Sequence, residues 1–370
     1  MFKREIYLEK IRKVIDDDSI KVISGVRGSG KTYLLYSIKE ELLNRDVNPD
    51  NIFLMNFERN SIADLKLTKN SEGKIYLLLD EIQNLKNFPE VINSLKTDYD
   101  CDIYITGSDG KLLTSRLVNC SHITVYPFSF KEFLQYNVTS KNQLFKNFVN
   151  FGGMPILQQI NKTDKYTFLE DIYNTILVKD IIIPQNLRNS YILDRLLKYI
   201  ILNTSKSFSA TNISKILKSQ KVNISTDSVL NYLKYAQNAS LIKKAKIEDI
   251  KTGKILTNKS KYYIIDHGFH QAIKNELNKE VIENIIFIEL LRRDYDVKIA
   301  SINSTEIGFV CRKNKNKIYI QILINKKTPT REFIKLKTNN KYVLSLDYLD
   351  LSQNGIKHQN IVDFLISDEI

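Results

Sequence analysis

A glycine-rich segment that ends in a lysine and a threonine carries the residue types that bind phosphate. The stretch KVISGVRGSGKTY, Lys21 to Tyr33, places Gly25, Gly30, Lys31 and Thr32 in the spacing G-x-x-x-x-G-K-[ST] after a short apolar run. Glycines let backbone amides approach phosphate oxygens, and a helix that begins near Gly30 directs its partial positive charge at the same anion. We predict that this segment binds a nucleoside triphosphate.

The residues of this loop have predicted roles. Lys31 would reach the β and γ phosphates, and the Thr32 hydroxyl would ligate Mg²⁺. The predicted nucleotide-binding residues are Gly25, Arg27, Gly28, Ser29, Gly30, Lys31, Thr32 and Tyr33. The alternative is a glycine turn with a solvated lysine, and the strand pattern before the loop and the helical pattern after it disfavour that interpretation.

Two carboxylates follow a later apolar run. KIYLLLD, Lys74 to Asp80, predicts a buried strand that ends in Asp80 and Glu81. In open parallel sheets ligands bind at the carboxyl ends of the strands. We predict that Asp80 holds Mg²⁺ and that Glu81 polarises the attacking water, against the alternative of a solvated acidic pair.

A third group of polar residues follows the run from Asp102 to Thr106. Ser108 is our first choice for a side chain that senses the γ phosphate and contributes to catalysis, and Thr106 is the second. A simple turn explains the same spacing equally well.

The elements that position these residues form an α/β pattern. Apolar runs at 22–23, 51–57, 74–80, 102–106 and 121–126 alternate with helical patterns, and no tight hairpin joins a pair of them. This order predicts a mostly parallel, three-layer α/β domain. An amphipathic helix over 5–15 is expected beside the nucleotide site.

The basic charge is concentrated outside this region. The 370 residues carry a net charge of +13, and the length suggests two or three domains. Residues 1–130 hold 18 basic and 19 acidic residues, whereas Ser190 to Ile265 holds 14 basic and 4 acidic ones, a net of +10. Such a local excess is typical of a polyanion-binding module.

The cysteine and apolar patterns favour a cytoplasmic protein without a membrane partner. Cys101, Cys120 and Cys311 are far apart and odd in number, which indicates reduced thiols. The charged N-terminus is unlike a signal peptide, and no apolar stretch approaches the ~18 residues of a membrane span. His267 and His270 are expected in an ordinary surface turn rather than at a zinc site.

The basic region has the pattern of a winged helix. A helix over 191–202, a helix capped by Ser209 and a helix capped by Ser225 or Thr226 precede extended runs at 241–249 and 255–266. In this interpretation DNA lies against the third helix and the hairpin, at Ser228, Asn231, Lys234, Lys243, Lys244, Lys246, Lys251 and Lys254. The alternative is a winged helix that binds a protein.

With these motifs the chain resembles the prokaryotic AAA-family ATPases that carry a winged helix and a nuclease-like domain of unknown function. The resemblance rests on GVRGSGKT at 25–32, LLLDEIQ at 77–83, ITGSD at 105–109, YPFSFKEFL at 126–134, FGGMP at 151–155, LVKDI at 177–181, KYYIIDHG at 261–268 and ENIIFIELLRR at 283–293. It implies that the strand before Ser108 lies between the strands of the glycine loop and of Asp80.

The resemblance and the patterns together give four predicted segments. They are a P-loop ATPase core at 1–127, a helical lid at 128–185, a winged helix at 186–268 and an α/β endonuclease-like domain at 269–370. The last has the order α-β-β-β-α-β of a restriction-endonuclease core.

The chain departs from the family pattern in two places. Val118 and Asn119 stand where the family has a Gly-Arg pair, so an arginine that could act on the γ phosphate is missing there, and the nearby Arg116 is the candidate substitute. In the nuclease-like segment Gly308 and Gln321 stand where acidic residues are expected. Glu283 and Glu289 alone do not make a metal-dependent nuclease, so we predict a scaffold without nuclease activity.

The leading hypothesis is an ATPase that uses ATP and Mg²⁺ and couples nucleotide state to DNA binding. The rival is a nucleotide-gated switch or adaptor with poor turnover that recruits a protein partner through its C-terminal domain. The missing arginine favours the rival, and the local basic charge favours the first.

Overall fold

The chain forms two compact units. A computed structural model describes residues 2–65, 67, 73–136, 140–276, 278–324, 328–348, 350, 352 and 355–368. The first unit runs up to Pro127 and includes Asn238–Ser240, and the second contains Phe128–Gln237 and the chain from Leu241 onward.

The first unit alternates strands and helices. Its strands are β1 (Ile20–Ser24), β2 (Ile52–Asn56), β3 (Ile75–Asp80), β4 (Cys101–Gly107) and β5 (Cys120–Thr124). Its helices are α1 (Glu5–Arg12), α2 (Lys31–Leu43), α3 (Phe88–Asp98) and α4 (Gly110–Ser115).

The five strands form one parallel sheet in the order β2-β3-β4-β1-β5. The predicted parallel α/β fold is confirmed, and β4 lies between β1 and β3 as the resemblance implied. This order brings the carboxyl ends of β1, β2, β3 and β4 to one edge of the sheet.

Both faces of this sheet are covered, because successive side chains of a strand point to opposite faces. On β3, Leu77 and Leu79 pack with Phe88 and Ile92 of α3. Tyr76 and Leu78 face the other way and pack in a cluster with α1 and α2, whose members there are Tyr7, Leu8, Ile11, Leu34, Leu35, Ile38 and Leu42. The near-continuous apolar run of β3 therefore reflects burial on both sides.

A buried ion pair joins the neighbouring strands β1 and β4. Lys21 on β1 and Asp102 on β4 are 0% and 2% exposed, and Lys21 Nζ lies 2.5 Å from Asp102 Oδ1. The Tyr104 hydroxyl donates to Asp102 Oδ2 at 2.8 Å. The glycine loop follows β1, and Ser108 follows β4. The ion pair between these strands therefore contributes to the spacing between the loop and Ser108.

The second unit is built from helices and one large sheet. Its helices are α5 (Phe130–Tyr136), α6 (Lys141–Phe151), α7 (Lys165–Thr175), which continues as a π-helix over Ile176–Ile182, α8 (Ser190–Leu202), α9 (Ala210–Ser219), α10 (Thr226–Asn238), α11 (Gly268–Ile273), α12 (Lys279–Arg292), α13 (Arg331–Ile334) and α14 (Ile361–Ile366). No helix among the described residues combines the length and the apolar character needed to cross a membrane.

Eight strands form the sheet of this unit. They are β6 (Ser207–Phe208), β7 (Ile242–Asp249), β8 (Ile255–Ile264), β9 (Asp296–Ile302), β10 (Thr305–Lys313), β11 (Asn316–Leu323), β12 (Lys341–Ser345) and β13 (Ile356–Asn360). Their order is β13-β12-β11-β10-β9-β7-β8-β6. The pairs β7/β9, β11/β12 and β12/β13 are parallel and the others antiparallel.

This sheet joins two of the segments that the sequence separates. The parallel pairing of β7 with β9 connects the hairpin of residues 242–264 to the strands of the C-terminal segment. The division of the chain at 185/186 and 268/269 stays a prediction, as do the winged-helix and endonuclease-like interpretations. The strand β13 and the helix α14 follow the last strand of the predicted order α-β-β-β-α-β and were not predicted.

The surface turn predicted around His267 and His270 is wrong. Both side chains are buried, at 4% and 1% exposure. His267 Nε2 lies 2.7 Å from the carbonyl oxygen of Phe148, and the carboxylate of the neighbouring Asp266 accepts hydrogen bonds from the amides of Gly153 and Gly268 at 2.8 Å each. These long-range contacts bury a segment whose local sequence resembles a turn.

Neutralising Asp102 should destabilise the first unit, because Asp102→Asn keeps the shape of the side chain and leaves the buried Lys21 ammonium with only the exposed carboxylate of Asp17, at 2.9 Å, as its counter-charge. We expect a loss of up to about 3–5 kcal/mol in the free energy of unfolding of this unit, measured by urea denaturation. The double variant Lys21→Met/Asp102→Asn should recover most of the loss, and Asp98→Asn, at an exposed position, should have little effect. Equal stability of wild type and Asp102→Asn would contradict this account.

Candidate functional site

The glycine loop lies between β1 and α2 at the edge where the strands end. Gly28 and Gly30 adopt φ angles of 84° and 98°, a region that side-chain-bearing residues avoid. Gly30 is the N-cap of α2 and has no side chain to cap the helix. The first amides of a helix have no partner within the helix, so this end of α2 presents donors for an anion.

Two residues shape the inside of the loop. A Cβ atom on Gly25 would lie 2.2 Å from the carbonyl oxygen of Val125 and 2.8 Å from Ser29 Oγ, so only glycine fits there without movement. Ser29 is fully buried, and its hydroxyl has no hydrogen-bond partner among the described residues. A buried hydroxyl without a partner is costly, and in this loop it is suited to bind a phosphate oxygen.

Lys31 is buried beneath the loop with its ammonium close to a carboxylate. Its Nζ donates to the carbonyl oxygen of Gly25 at 3.0 Å and lies 3.4 Å from Glu81 Oε1. The next residue, Thr32, donates its hydroxyl hydrogen to Asp80 Oδ2 at 2.8 Å. The structure therefore brings Lys31 and Thr32 together with Asp80 and Glu81, which are about 50 residues away in the sequence.

Asp80 is the most heavily hydrogen-bonded group of the site. It is 0% exposed and accepts hydrogen bonds from Thr32 Oγ1 and Asn56 Nδ2 on Oδ2 and from Thr106 Oγ1 on Oδ1. These donors come from α2, β2 and β4. Three neighbouring elements thus converge on the end of β3.

Glu81 adopts a strained backbone conformation next to Asp80. Its φ angle is 53°, and its amide donates to Thr106 Oγ1 at 2.9 Å. Burial alone would raise the pKa of Glu81, but the charge of Lys31, a hydrogen bond from Gln83 and the charge of Arg27 outweigh burial, and the net pKa is below its ordinary value. Glu81 is therefore ionised at neutral pH and is able to accept a proton.

Thr106 contacts the acidic pair, whereas the predicted first choice, Ser108, follows β4 as a buried residue. The Thr106 hydroxyl both donates to Asp80 and accepts from the amide of Glu81. The catalytic role of Ser108 stays a prediction, and by geometry the second choice, Thr106, is the side chain that links the two carboxylates.

The remaining predicted loop residues lie toward solvent. Arg27 Nη1 donates to Glu58 Oε1 at 2.9 Å, and both side chains are partly exposed. Tyr33 on α2 is 52% exposed. Their nucleotide contacts stay predictions.

Three residues that support the site were not predicted as site residues. Asn56 ends β2 and binds Asp80, and Gln83 Nε2 donates to Glu81 Oε2 at 2.6 Å. Arg4, 5% exposed, donates from Nη1 to the carbonyl oxygen of Ser29 at 2.8 Å. The sequence signal for Asn56 was a polar residue at the end of an apolar strand, the same signal that identified Asp80.

The predicted DNA-facing residues of the second unit are mostly accessible. Asn231 and Lys234 on α10 are exposed, as are Lys244, Lys246, Lys251 and Lys254 on the hairpin. Ser228 and Lys243 are half-buried, and desolvation lowers the pKa of Lys243.

The acidic residues of the nuclease-like segment are engaged in internal contacts. Glu283 Oε1 lies 2.9 Å from Lys261 Nζ and accepts from the Tyr263 hydroxyl at 2.8 Å, while Glu289 pairs with Arg292 and Arg293. Gly308 has a φ of 132°, and a Cβ atom there would lie 2.2 Å from the carbonyl oxygen of Ile320. This backbone does not accommodate an acidic side chain at 308 without a shift.

Comparison with known proteins places these features in a family. Residues 17–134 match the AAA domain family, and residues 142–280 match a domain of unknown function. An uncharacterized protein of Haemophilus influenzae is 33% identical over 395 aligned positions and covers 99% of both chains. An uncharacterized protein of Methanocaldococcus jannaschii is 29% identical over 83% of this chain and 75% of its own length.

A solved structure shares the fold. The Walker-type ATPase of Pyrococcus abyssi aligns with a TM-score of 0.53 and 16% identity, over 74% of this chain and 96% of that chain. The chain belongs to the family of AAA-type P-loop ATPases that carry a domain of unknown function after the AAA domain. The predicted resemblance to AAA-family ATPases with a further domain of unknown function is confirmed, and the winged-helix and nuclease-like parts of it stay predictions.

The lowered pKa of Glu81 predicts how its contribution to stability depends on pH. A carboxyl group whose folded-state pKa is lowered stabilises the fold above its unfolded pKa of about 4.3, and this contribution is lost as the pH falls through the folded-state value. The difference in the free energy of unfolding between wild type and Glu81→Gln should be constant from about pH 6 to 8 and should shrink below about pH 4.3.

Urea denaturation over a pH series measures this difference, with Glu90→Gln at an exposed position as the control. A wild-type advantage that persists unchanged down to about pH 3 would be inconsistent with an ionised, stabilising Glu81.

Proposed function

We propose that this protein binds ATP with Mg²⁺ and hydrolyses it to ADP and phosphate. The observation that carries the proposal is the convergence of Lys31 and Thr32 with Asp80 and Glu81 at the edge of a parallel sheet, beside a loop that has room only for glycine at position 25. The AAA domain match over residues 17–134 supports the same function.

The donor set fits a Mg²⁺ complex of a nucleotide. Mg²⁺ prefers oxygen ligands and is usually held by one or two protein groups together with phosphates and water. The Thr32 hydroxyl and the Asp80 carboxylate are such groups, and they lie 2.8 Å apart. When bound, the cation would supply charge neutralisation on the β and γ phosphates.

The protein's own residues would position the reactants and accept the proton. Lys31 would exchange part of its contact with Gly25 and Glu81 for phosphate oxygens. Glu81, ionised and held by Gln83 and by its own amide on Thr106, would take the proton of the attacking water. A positioned general base typically contributes about 10²–10⁴-fold in rate.

Replacement of Glu81 by glutamine should abolish most turnover and preserve nucleotide affinity. We expect Glu81→Gln to lower kcat by about 10²–10⁴-fold because it removes the base, with ATP affinity nearly unchanged. Lys31→Ala should instead weaken nucleotide binding. Phosphate release and equilibrium binding of a fluorescent ATP analogue measure the two effects, and Glu90→Gln serves as the charge-matched control.

A nucleotide-gated switch is the second candidate, and one observation favours it. Val118 is 81% exposed and Asn119 is exposed at the positions where the arginine was expected. A switch with poor turnover that recruits a protein partner through its C-terminal region predicts that Glu81→Gln barely changes an already slow rate. The same assay therefore separates the two candidates.

We further propose that the basic region of residues 190–265 binds DNA. Its net charge of +10 is local, and Lys234 of α10 and the hairpin residues Lys244, Lys246, Lys251 and Lys254 are all exposed. Phosphate neutralisation provides most of the affinity in sequence-independent binding.

The hairpin lysines should determine the salt dependence of DNA binding. We expect Lys244→Gln/Lys246→Gln/Lys254→Gln to weaken binding to duplex DNA at low salt. The slope of log K against log salt should fall by about 0.9 for each phosphate contact that is lost. Fluorescence anisotropy measures both, with Lys13→Gln/Lys86→Gln/Lys111→Gln in the first unit as the matched control. If the slope of log K against log salt is the same for the two triple variants, the DNA-binding proposal is contradicted.

A further inference from the structure

Arg27 is an arginine within the glycine loop itself, and it pairs with a carboxylate that follows β2 near the site. Its Nη1 atom donates to Glu58 Oε1 at 2.9 Å. Glu58 follows β2, and its amide donates to Asn56 Oδ1 at 2.8 Å, while the amide nitrogen Nδ2 of the same Asn56 donates to Asp80 Oδ2. The partner of Arg27 is therefore tied to the carboxylate at the centre of the site.

Electrostatics agrees with this placement. Burial raises the pKa of Glu81, and the charge of Lys31, the hydrogen bond from Gln83 and the charge of Arg27 lower it. The guanidinium thus acts on the proposed general base through space. In this ion pair the side chain of Arg27 is 19% exposed and that of Glu58 is 30% exposed. A partly solvated ion pair contributes little free energy. Arg27 is able to exchange Glu58 for a more highly charged partner.

We propose that Arg27 is the arginine that acts on the γ phosphate from within the same chain, and that Glu58 holds its guanidinium in reserve until a nucleotide binds. The proposal rests on the ATPase function proposed above. It accounts for the substitution of Val118 and Asn119 for the Gly-Arg pair, since the charge is supplied by the loop. The planar guanidinium matches two phosphate oxygens at once, which a lysine does not.

The reaction balances without a further reactant. The water oxygen forms a bond to the γ phosphorus, the bond from that phosphorus to the β–γ bridging oxygen breaks, and Glu81 accepts the water proton. Arg27 transfers no atom, and it stabilises the negative charge that develops on the transferring phosphoryl oxygens.

The test compares Arg27→Gln and Arg27→Lys with Glu58→Gln in the full chain, and Arg59→Gln, an exposed neighbour, is the control. Two quantities are measured: kcat, and the affinity for ADP alone against ADP with aluminium fluoride, which mimics the transferring phosphoryl group. We expect Arg27→Gln to lower kcat by about 10³-fold and to remove most of the gain in affinity from aluminium fluoride, with ADP affinity little changed. Arg27→Lys should recover part of both.

Glu58→Gln distinguishes this role from a structural one. If Arg27 acts on the γ phosphate, release of its guanidinium leaves kcat unchanged or higher. If the ion pair only braces the loop, Arg27→Gln and Glu58→Gln lower kcat and thermal stability to the same extent, and the proposal is overturned. If Arg27→Gln retains the full kcat of the wild type, the proposal for Arg27 is also overturned, and the proposed ATPase function is not affected. A wild-type protein that binds no nucleotide overturns both.

Discussion

The arrangement of the site depends on the hydrogen bonds that the Asp80 carboxylate accepts. Asp80 is completely buried, and Thr32, Asn56 and Thr106 donate to it from three different elements. A buried carboxylate is stable only when its oxygens are satisfied. The helix after the glycine loop and the ends of β2 and β4 are therefore fixed relative to β3, and Glu81 is fixed with them through its amide on Thr106.

Near Asp80, two cationic side chains are each paired with a carboxylate. Lys31 lies beside Glu81, and Arg27 lies beside Glu58. A triphosphate would compete with these carboxylates for both cations, and the freed Glu81 would be available as a base. Without a ligand, these ion pairs give each cation a carboxylate partner. They therefore indicate which side chains of the protein would bind a polyanionic ligand.

The second unit organises its charge differently. Lys261 and Glu283, from a strand and a helix on either side of residue 268, pair in the interior with Tyr263, while the lysines of the hairpin face outward. The paired internal charges favour a structural role for Glu283, a position predicted to be nuclease-like, and the outward lysines would supply the positive field for the proposed polyanion. If nucleotide and DNA both bind and one of them changes the affinity for the other, linkage requires the reverse change to have the same factor.

The sequence alone determined the phosphate loop, the acidic pair and the parallel α/β pattern, because glycine spacing, strand-ending carboxylates and apolar runs are local signals. It did not determine the contacts of Thr106, Asn56 and Arg4, the burial of His267 and His270, or the pairing of β7 with β9. These depend on which strands become neighbours and which residues distant in the chain meet, and that choice is made only when the sheets assemble and bury their faces. The local pattern names the residues that are able to do chemistry, and the tertiary packing decides which of them share an oxygen or a charge.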